Sequence, residues 1–322
     1  MSKIKLQHYV PRFYLRNFST FRKGSFYLNC FDKKDERTIP VNIRNIGGEN
    51  YFYDTQPDTN QIIEKTLGKL ESKFNASYEK IIRKENIGSL IQQERRWIAF
   101  FVVTQLLRTR LFRDILTAQR KQFKEFFLKE KLTPEFEKKI RGIDDAKTIK
   151  EFHIKFMINA PTEFVPILMK MKWCLIVNKT KLPFWTSDHP ITMHNPVDMG
   201  PWSGLGLKMK GIQLHFPLTP RLMLYFGDPE SYKHFPSRME MDNEENLIHE
   251  NWLQVVWSRR HLFSIDDNFS LATEILQKNQ DLKDPDRERT TVQTLDKSFK
   301  DYYKGNPIEE NPFEKFKLWD EQ

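Results

Sequence analysis

The chain has 322 residues, 39% hydrophobic and 13% aromatic, with 26 phenylalanines against only 12 glycines. This composition supports a substantial core and excludes long flexible linkers, and no apolar run approaches the roughly 18 residues needed to cross a bilayer. The net charge of +9 is compatible with nucleic acid or another polyanion, although lysine and arginine are scattered enough to read equally as an ordinary solvated surface.

Only Cys30 and Cys174 are present, which excludes a disulfide framework and a cysteine-rich zinc cluster. Both fall in apolar, strand-like segments and read as buried free thiols, consistent with a reducing cytoplasm.

The chain opens with Gln7-His8-Tyr9-Val10-Pro11-Arg12-Phe13-Tyr14-Leu15-Arg16-Asn17-Phe18. Its alternation of charged and aromatic residues is unlike a targeting peptide, and its aromatics are too costly to leave in water at a fraying terminus. The arm is therefore expected to dock on the body of the protein. Residues 25–30 and 37–43 alternate around the polar run Lys33-Lys34-Asp35-Glu36, predicting a hairpin. From residue 61, Ile63, Leu67, Leu70, Phe74, Tyr78 and Ile81 recur at helical spacing and predict an amphipathic helix of about six turns.

Ser89 and Gln92 have the form of a capping box, and the pattern after them can run to about residue 131 without a proline. Thr133-Pro134-Glu135 restarts a helix, and another spans about 148–159. The character then changes. Residues 173–177, 184–185, 191–194, 212–216 and 221–226 are short β-prone runs punctuated by prolines. Asp242-Asn243-Glu244-Glu245 opens a helix towards Val256, residues 261–265 read as a returning strand, and a last helix runs through Leu276. The expectation is an α+β protein: a single domain over 1–280, helical over 61–172 and β-rich over 173–265, with the arm at their junction. The charged segment 281–322 reads as a weakly ordered tail.

Zincin, P-loop, Cys-x-x-Cys and G-x-S-x-G signatures are missing. Three groups remain. In the arm, Arg12 and Arg16 can grip phosphate and His8 titrates near neutrality, with Asn17 beside them. The bland alternative is an aromatic plug whose arginines pair with carboxylates. Thr186-Ser187-Asp188-His189-Pro190 presents Asp188 and His189 between two strand-like runs, though Asp188 can equally cap a turn. Glu64 and Glu71, seven apart, share a helix face, where glutamates are usually solvated. Gln105 and Arg108 share a face of an apolar helix, where burial demands partners.

These segments together resemble a bacterial family, domain of unknown function 4238. The resemblance rests on the opening arm, on Glu49-Asn50-Tyr51-Phe52-Tyr53, on the helix with Glu64 and Glu71, and on Gln105-Leu106-Leu107-Arg108-Thr109. Thr186-Ser187-Asp188-His189-Pro190 and Phe216-Pro217-Leu218-Thr219-Pro220 also match. The family name carries no activity. The resemblance implies a bacterial intracellular protein linked to defence against mobile elements, and raises His8, Arg12 and Asp188 as residues that meet at one site.

The functional expectation is a nuclease or other phosphodiester-acting enzyme. His8, Arg12 and Asp188 are its catalytic set, and Arg16, Asn17, Gln105, Arg108 and His189 contact substrate. The competing class is a non-catalytic nucleic-acid-binding or protein-interaction module. Asp188 and Glu49 are the candidates to hold a divalent cation. Few carboxylates accompany Asp188, which favours a metal-independent or single-metal site over a two-metal one.

Overall fold

The computed structural model describes residues 4–55, 61–129, 133–197 and 205–287. The arm forms a strand, β1 (Leu6–His8), one α-helical turn, α1 (Arg12–Leu15), and a 3-10 turn (Arg16–Phe18). Pro11 sits in the extended conformation that precedes α1, so His8 and Arg12 belong to different elements and not to one helix face. Three strands follow: β2 (Thr20–Arg22), β3 (Ser25–Asp32) and β4 (Arg37–Asn42), the last two forming the expected hairpin. A short strand, β5 (Gly48–Asn50), pairs antiparallel with β1.

Five helices make the middle of the chain: α2 (Ile62–Lys84), α3 (Gln92–Leu107), α4 (Arg110–Phe127), α5 (Pro134–Arg141) and α6 (Ala146–Lys170). The expected helix from Ser89 differs in two ways. It begins at Gln92, where Glu94 reaches back to the Ile91 N–H at 2.9 Å. It also breaks at Thr109, whose extended backbone and hydroxyl, accepting from Phe112 N at 3.3 Å, start a new helix. Further on, α6 runs through Pro161 and Pro166, past the expected end near 159. Met157, Ala160, Val165 and Leu168 are buried in the main core, and that burial outweighs the lost helical hydrogen bonds.

The β-rich region holds β6 (Lys172–Asn178), β7 (Thr186–Ser187), β8 (Thr192–His194), β9 (Gln213–Thr219), β10 (Leu222–Gly227) and β11 (Arg238–Met241). They are followed by α7 (Glu244–Trp257), β12 (His261–Ser264) and α8 (Ser270–Lys278). One sheet has the order β11-β6-β10-β9-β8, antiparallel except where β11 runs parallel to β6. The other has the order β2-β3-β12-β7, with β4 also on β3, so strands from both ends of the chain share it. After α8, Leu282 is buried and Arg287 donates to Val256 O at 2.9 Å; the rest of the expected tail lies outside the described residues. Among the described residues, no helix is long and apolar enough to cross a membrane.

The arm is built into this core. Phe13 packs on Phe74, Tyr78 and Phe101, and Tyr14, Leu15 and Phe18 are buried. Each such side chain contributes on the order of 1.5–3 kcal/mol by leaving water. Tyr14 stacks on Phe216 with ring centroids 5.2 Å apart. Its hydroxyl lies 2.6 Å from Thr186 Oγ1 and donates to Pro217 O at 2.7 Å, which ties the arm to both β-rich motifs. Tyr14→Phe should lower stability by about 1–3 kcal/mol, because it leaves buried oxygens without their donor. Chemical denaturation would register this as a lower midpoint at unchanged slope.

Candidate active site

Two glycines let the arm approach. Gly48 faces His8 across β1 and β5, and a Cβ there would meet Gln7 O at 2.6 Å. Gly47 sits at φ +71° and offers its carbonyl to the N–H groups of Tyr9 and Val10, both at 2.9 Å. Gln7 is buried: its amide oxygen accepts from Tyr53 N at 2.6 Å and its amide nitrogen donates to Asp54. Gln61 clamps the backbone of Ile4 through two 2.8 Å bonds. The strand that carries His8 is thus fixed on both sides.

Arg108 stands where α3 ends, and only 1% of it is exposed. Its guanidinium donates to Glu71 Oε1 at 2.9 Å, to the Tyr53 hydroxyl at 3.2 Å and to His8 O at 2.5 Å. Burial opposes its charge, but the Tyr53 and Glu71 oxygens outweigh burial and hold it protonated. The neighbouring carbonyl of Leu107 accepts from His153 Nε2 at 2.7 Å. That histidine takes this tautomer because its Nδ1 accepts from Arg113 Nε at 3.0 Å. His153 is a bracing residue that sequence reading passes over, since a lone histidine in a helix carries no spacing signal.

Two titratable groups in this neighbourhood are displaced in opposite senses. Burial, then the cations of Arg12 and Arg108, push His8 down to about 4. Burial pushes Glu64 up to about 7; Arg108 pulls it back, while Glu71 and Asp54 push further. Both groups lie in the field of the same two arginines. Among the described residues, His8 Nε2 and Glu64 Oε2 are buried and have no hydrogen-bond partner. Buried polar atoms normally have partners, so two orphans beside one buried arginine require an explanation. At neutral pH the environment keeps His8 unprotonated and Glu64 near its midpoint, a base and an acid set apart by their surroundings.

Most of the other expected site residues have partners of their own. Asp188 accepts from the backbone N–H groups of Arg259, Arg260 and His261 at 2.7, 2.8 and 2.9 Å, anchoring the turn into β12. His189 Nδ1 is 2.7 Å from Thr109 Oγ1, and its ring stacks on Trp257. Gln105 donates to Tyr9 O at 2.9 Å. Asn17 donates back to Phe13 O at 3.2 Å, and Arg16 lies over the Phe26 ring. Glu49 pairs with Arg110 at 3.0 Å, in a chain continued by Asp114 and Arg259. Arg12 is exposed beside the His8 site. Among the described residues, no group of three or more histidine, cysteine, aspartate or glutamate side chains could hold a metal ion.

His8 and Glu64 are thus two half-buried groups that share the field of Arg12 and Arg108. The family model for a protein of unknown function, DUF4238, matches residues 6–268, and the chain belongs to that family. No curated protein and no solved structure matches it.

Two stability measurements check this description. Arg108→Met should cost about 3 kcal/mol, since it strands the Glu71 carboxylate and the His8 carbonyl without their donor. Because folding raises the Glu64 pKa above its ordinary value, the wild type loses stability as pH rises through about 7. Glu64→Gln should therefore raise Tm at alkaline pH and leave it unchanged near pH 4. An equal shift at both pH values would contradict the assignment.

Proposed function

We propose that the protein is a phosphodiester-cleaving enzyme, a nuclease, that uses His8 as general base and Glu64 as general acid. The observation carrying this reading is the pair of orphaned buried atoms, His8 Nε2 and Glu64 Oε2, in the shared field of Arg12 and Arg108. Arg12, exposed at the rim on the first position of α1, serves as the contact for a non-bridging phosphate oxygen. Arg108 spends its donors on Glu71, Tyr53 and the His8 carbonyl. Its part is to fix His8 and to stabilise charge through space.

In the reaction, His8 Nε2 takes a proton from the attacking water or hydroxyl as its oxygen bonds to phosphorus. Glu64 gives its proton to the leaving oxygen as the second phosphorus–oxygen bond breaks. Protons exchanged with solvent restore both groups. A divalent cation at the phosphate would add charge stabilisation, and Asp188 and Glu49 remain the carboxylates proposed for it. In this reading Asp188 also acts by anchoring the 259–261 turn. The buried free cysteines fit a reducing cytoplasm, and cutting invading nucleic acid there is the defence role that suits the activity.

His8 is competent above about 4 and Glu64 below about 7, so cleavage should follow a bell with a mildly acidic optimum. Purified protein assayed on labelled RNA and DNA, with Mg²⁺, Mn²⁺ or chelator, should show this profile. His8→Gln and Glu64→Gln should each lower kcat by about 10²–10⁴, and Glu64→Gln should remove the alkaline limb. Arg12→Ala should mainly raise KM. Wild-type rates in both folded glutamine variants would exclude these residues. Tight, salt-sensitive binding without cleavage under any condition would favour the binding-module reading.

A further inference from the structure

The arm region carries a second, unassigned surface beside the site. From Met1 to Phe31 the sequence contains no aspartate or glutamate, against Lys3, Lys5, Arg12, Arg16, Arg22 and Lys23. In a chain where acids and bases otherwise mix, this is a one-signed stretch. It also presents aromatic rings. Phe21, on the edge strand β2, is 66% exposed and packs against Phe26 with centroids 5.0 Å apart. Arg16 lies over the Phe26 ring at 4.9 Å, and Arg22 lies over the Tyr27 ring at 4.8 Å. At the hairpin tip, Lys23 and Gly24 both take positive φ, a tight turn that holds the Lys23 charge at the end of the strands.

This surface is continuous with the candidate site. Ile43 donates its N–H to Phe26 O at 3.1 Å, and the backbone of Ile43 and Arg44 offers the His8 ring hydrogen bonds. Arg12 and Arg16 are four apart along the arm between the two regions. Phe21 is the most exposed large hydrophobic side chain among the described residues, and it packs on the same Phe26 ring that Arg16 covers, so ring and cation sit on one surface. A solvated basic face needs no aromatic, and a protein-docking face would not be stripped of acids over 31 residues. Rings interleaved with guanidinium groups match a flexible anionic polymer with planar bases.

We propose that Phe21, Phe26 and Arg16, which share one face of the β2–β3 ribbon, form a binding track for single-stranded nucleic acid, while Arg22 lies with Tyr27 on the other face. A base stacks on Phe21, and the backbone phosphates run past Arg16 towards Arg12 and His8. This inference rests on the nuclease reading for its direction of travel and names that site's substrate as single-stranded. Duplex DNA keeps its bases stacked internally and cannot use the Phe21 ring.

The test is fluorescence anisotropy with labelled oligothymidine and oligouridine of about 20 nucleotides, beside a duplex of mixed sequence, using full-length Glu64→Gln protein. Single strands should bind more tightly than duplex. Phe21→Ala, a surface change that the fold tolerates, should weaken single-strand binding about tenfold and duplex binding little. Arg16→Ala should reduce the salt-dependence slope by about 1, whereas Arg22→Ala, on the opposite face, should leave it nearly unchanged. Equal affinity for duplex and single strand, or unchanged binding in Phe21→Ala, would overturn the track. Absence of binding to either polymer would also overturn it. Failure of the catalytic reading looks different: Phe21-dependent binding persists, but the wild type does not cleave.

Discussion

Everything near the candidate site depends on one buried guanidinium. A charge as enclosed as that of Arg108 is tolerable only when its donors are used, because desolvation alone costs several kcal/mol. Its three acceptors come from three parts of the chain: Glu71 from α2, Tyr53 from the loop after β5, and the His8 carbonyl from the arm. Satisfying Arg108 therefore fixes α2, α3, the 47–54 loop and the N-terminal strand relative to one another. The same positive charge helps keep His8 neutral, while burial and neighbouring carboxylates raise Glu64 well above the usual carboxylate range. Stability and chemistry share one interaction here, and a change at Arg108 disturbs both.

The arm joins two systems of forces. Through Phe13, Tyr14, Leu15 and Phe18 it belongs to the hydrophobic core, with Tyr14 bridging to Thr186 and Pro217. Through Gln7, His8 and Tyr9 it belongs to a polar network closed by Asp54, Arg108 and Gln105. The core supplies most of the holding energy. The polar network sets the register of β1, so that His8 and not a neighbour faces Gly48. A slip by one residue would turn His8 to the opposite face.

Periodicity made much of this legible. Helical spacing from Ile63 to Ile81 marked α2, alternation marked the β3–β4 hairpin, and short β-prone runs bounded by prolines marked most of the second-half strands. The break at Thr109 was illegible, because the apolar pattern runs through it; a threonine cap and the burial of Arg108 decide it. The short strands β1, β2 and β5 carry too few residues to show alternation, and β11 needed its parallel partner β6 to be recognised. At the candidate site, the types of His8, Arg12, Glu64, Glu71 and Arg108 were visible, and so was the shared face of Glu64 and Glu71. Their convergence was not, because it depends on where the arm docks. Asp188 drew attention through its motif, and the structure gives its oxygens to three backbone amides, a role that local sequence cannot distinguish from catalysis.

Between about pH 4 and 7 the fold holds His8 neutral and Glu64 protonated, the inverse of their ordinary states. Site-resolved NMR titration tests it most directly, with ¹³C-labelled glutamate and ¹⁵N-labelled histidine in the full-length chain, assigned through Glu64→Gln and His8→Gln. Glu64 should titrate near 7 and His8 near 4. A Glu64 midpoint near the ordinary carboxylate value, together with a His8 midpoint near 6.5, would contradict it.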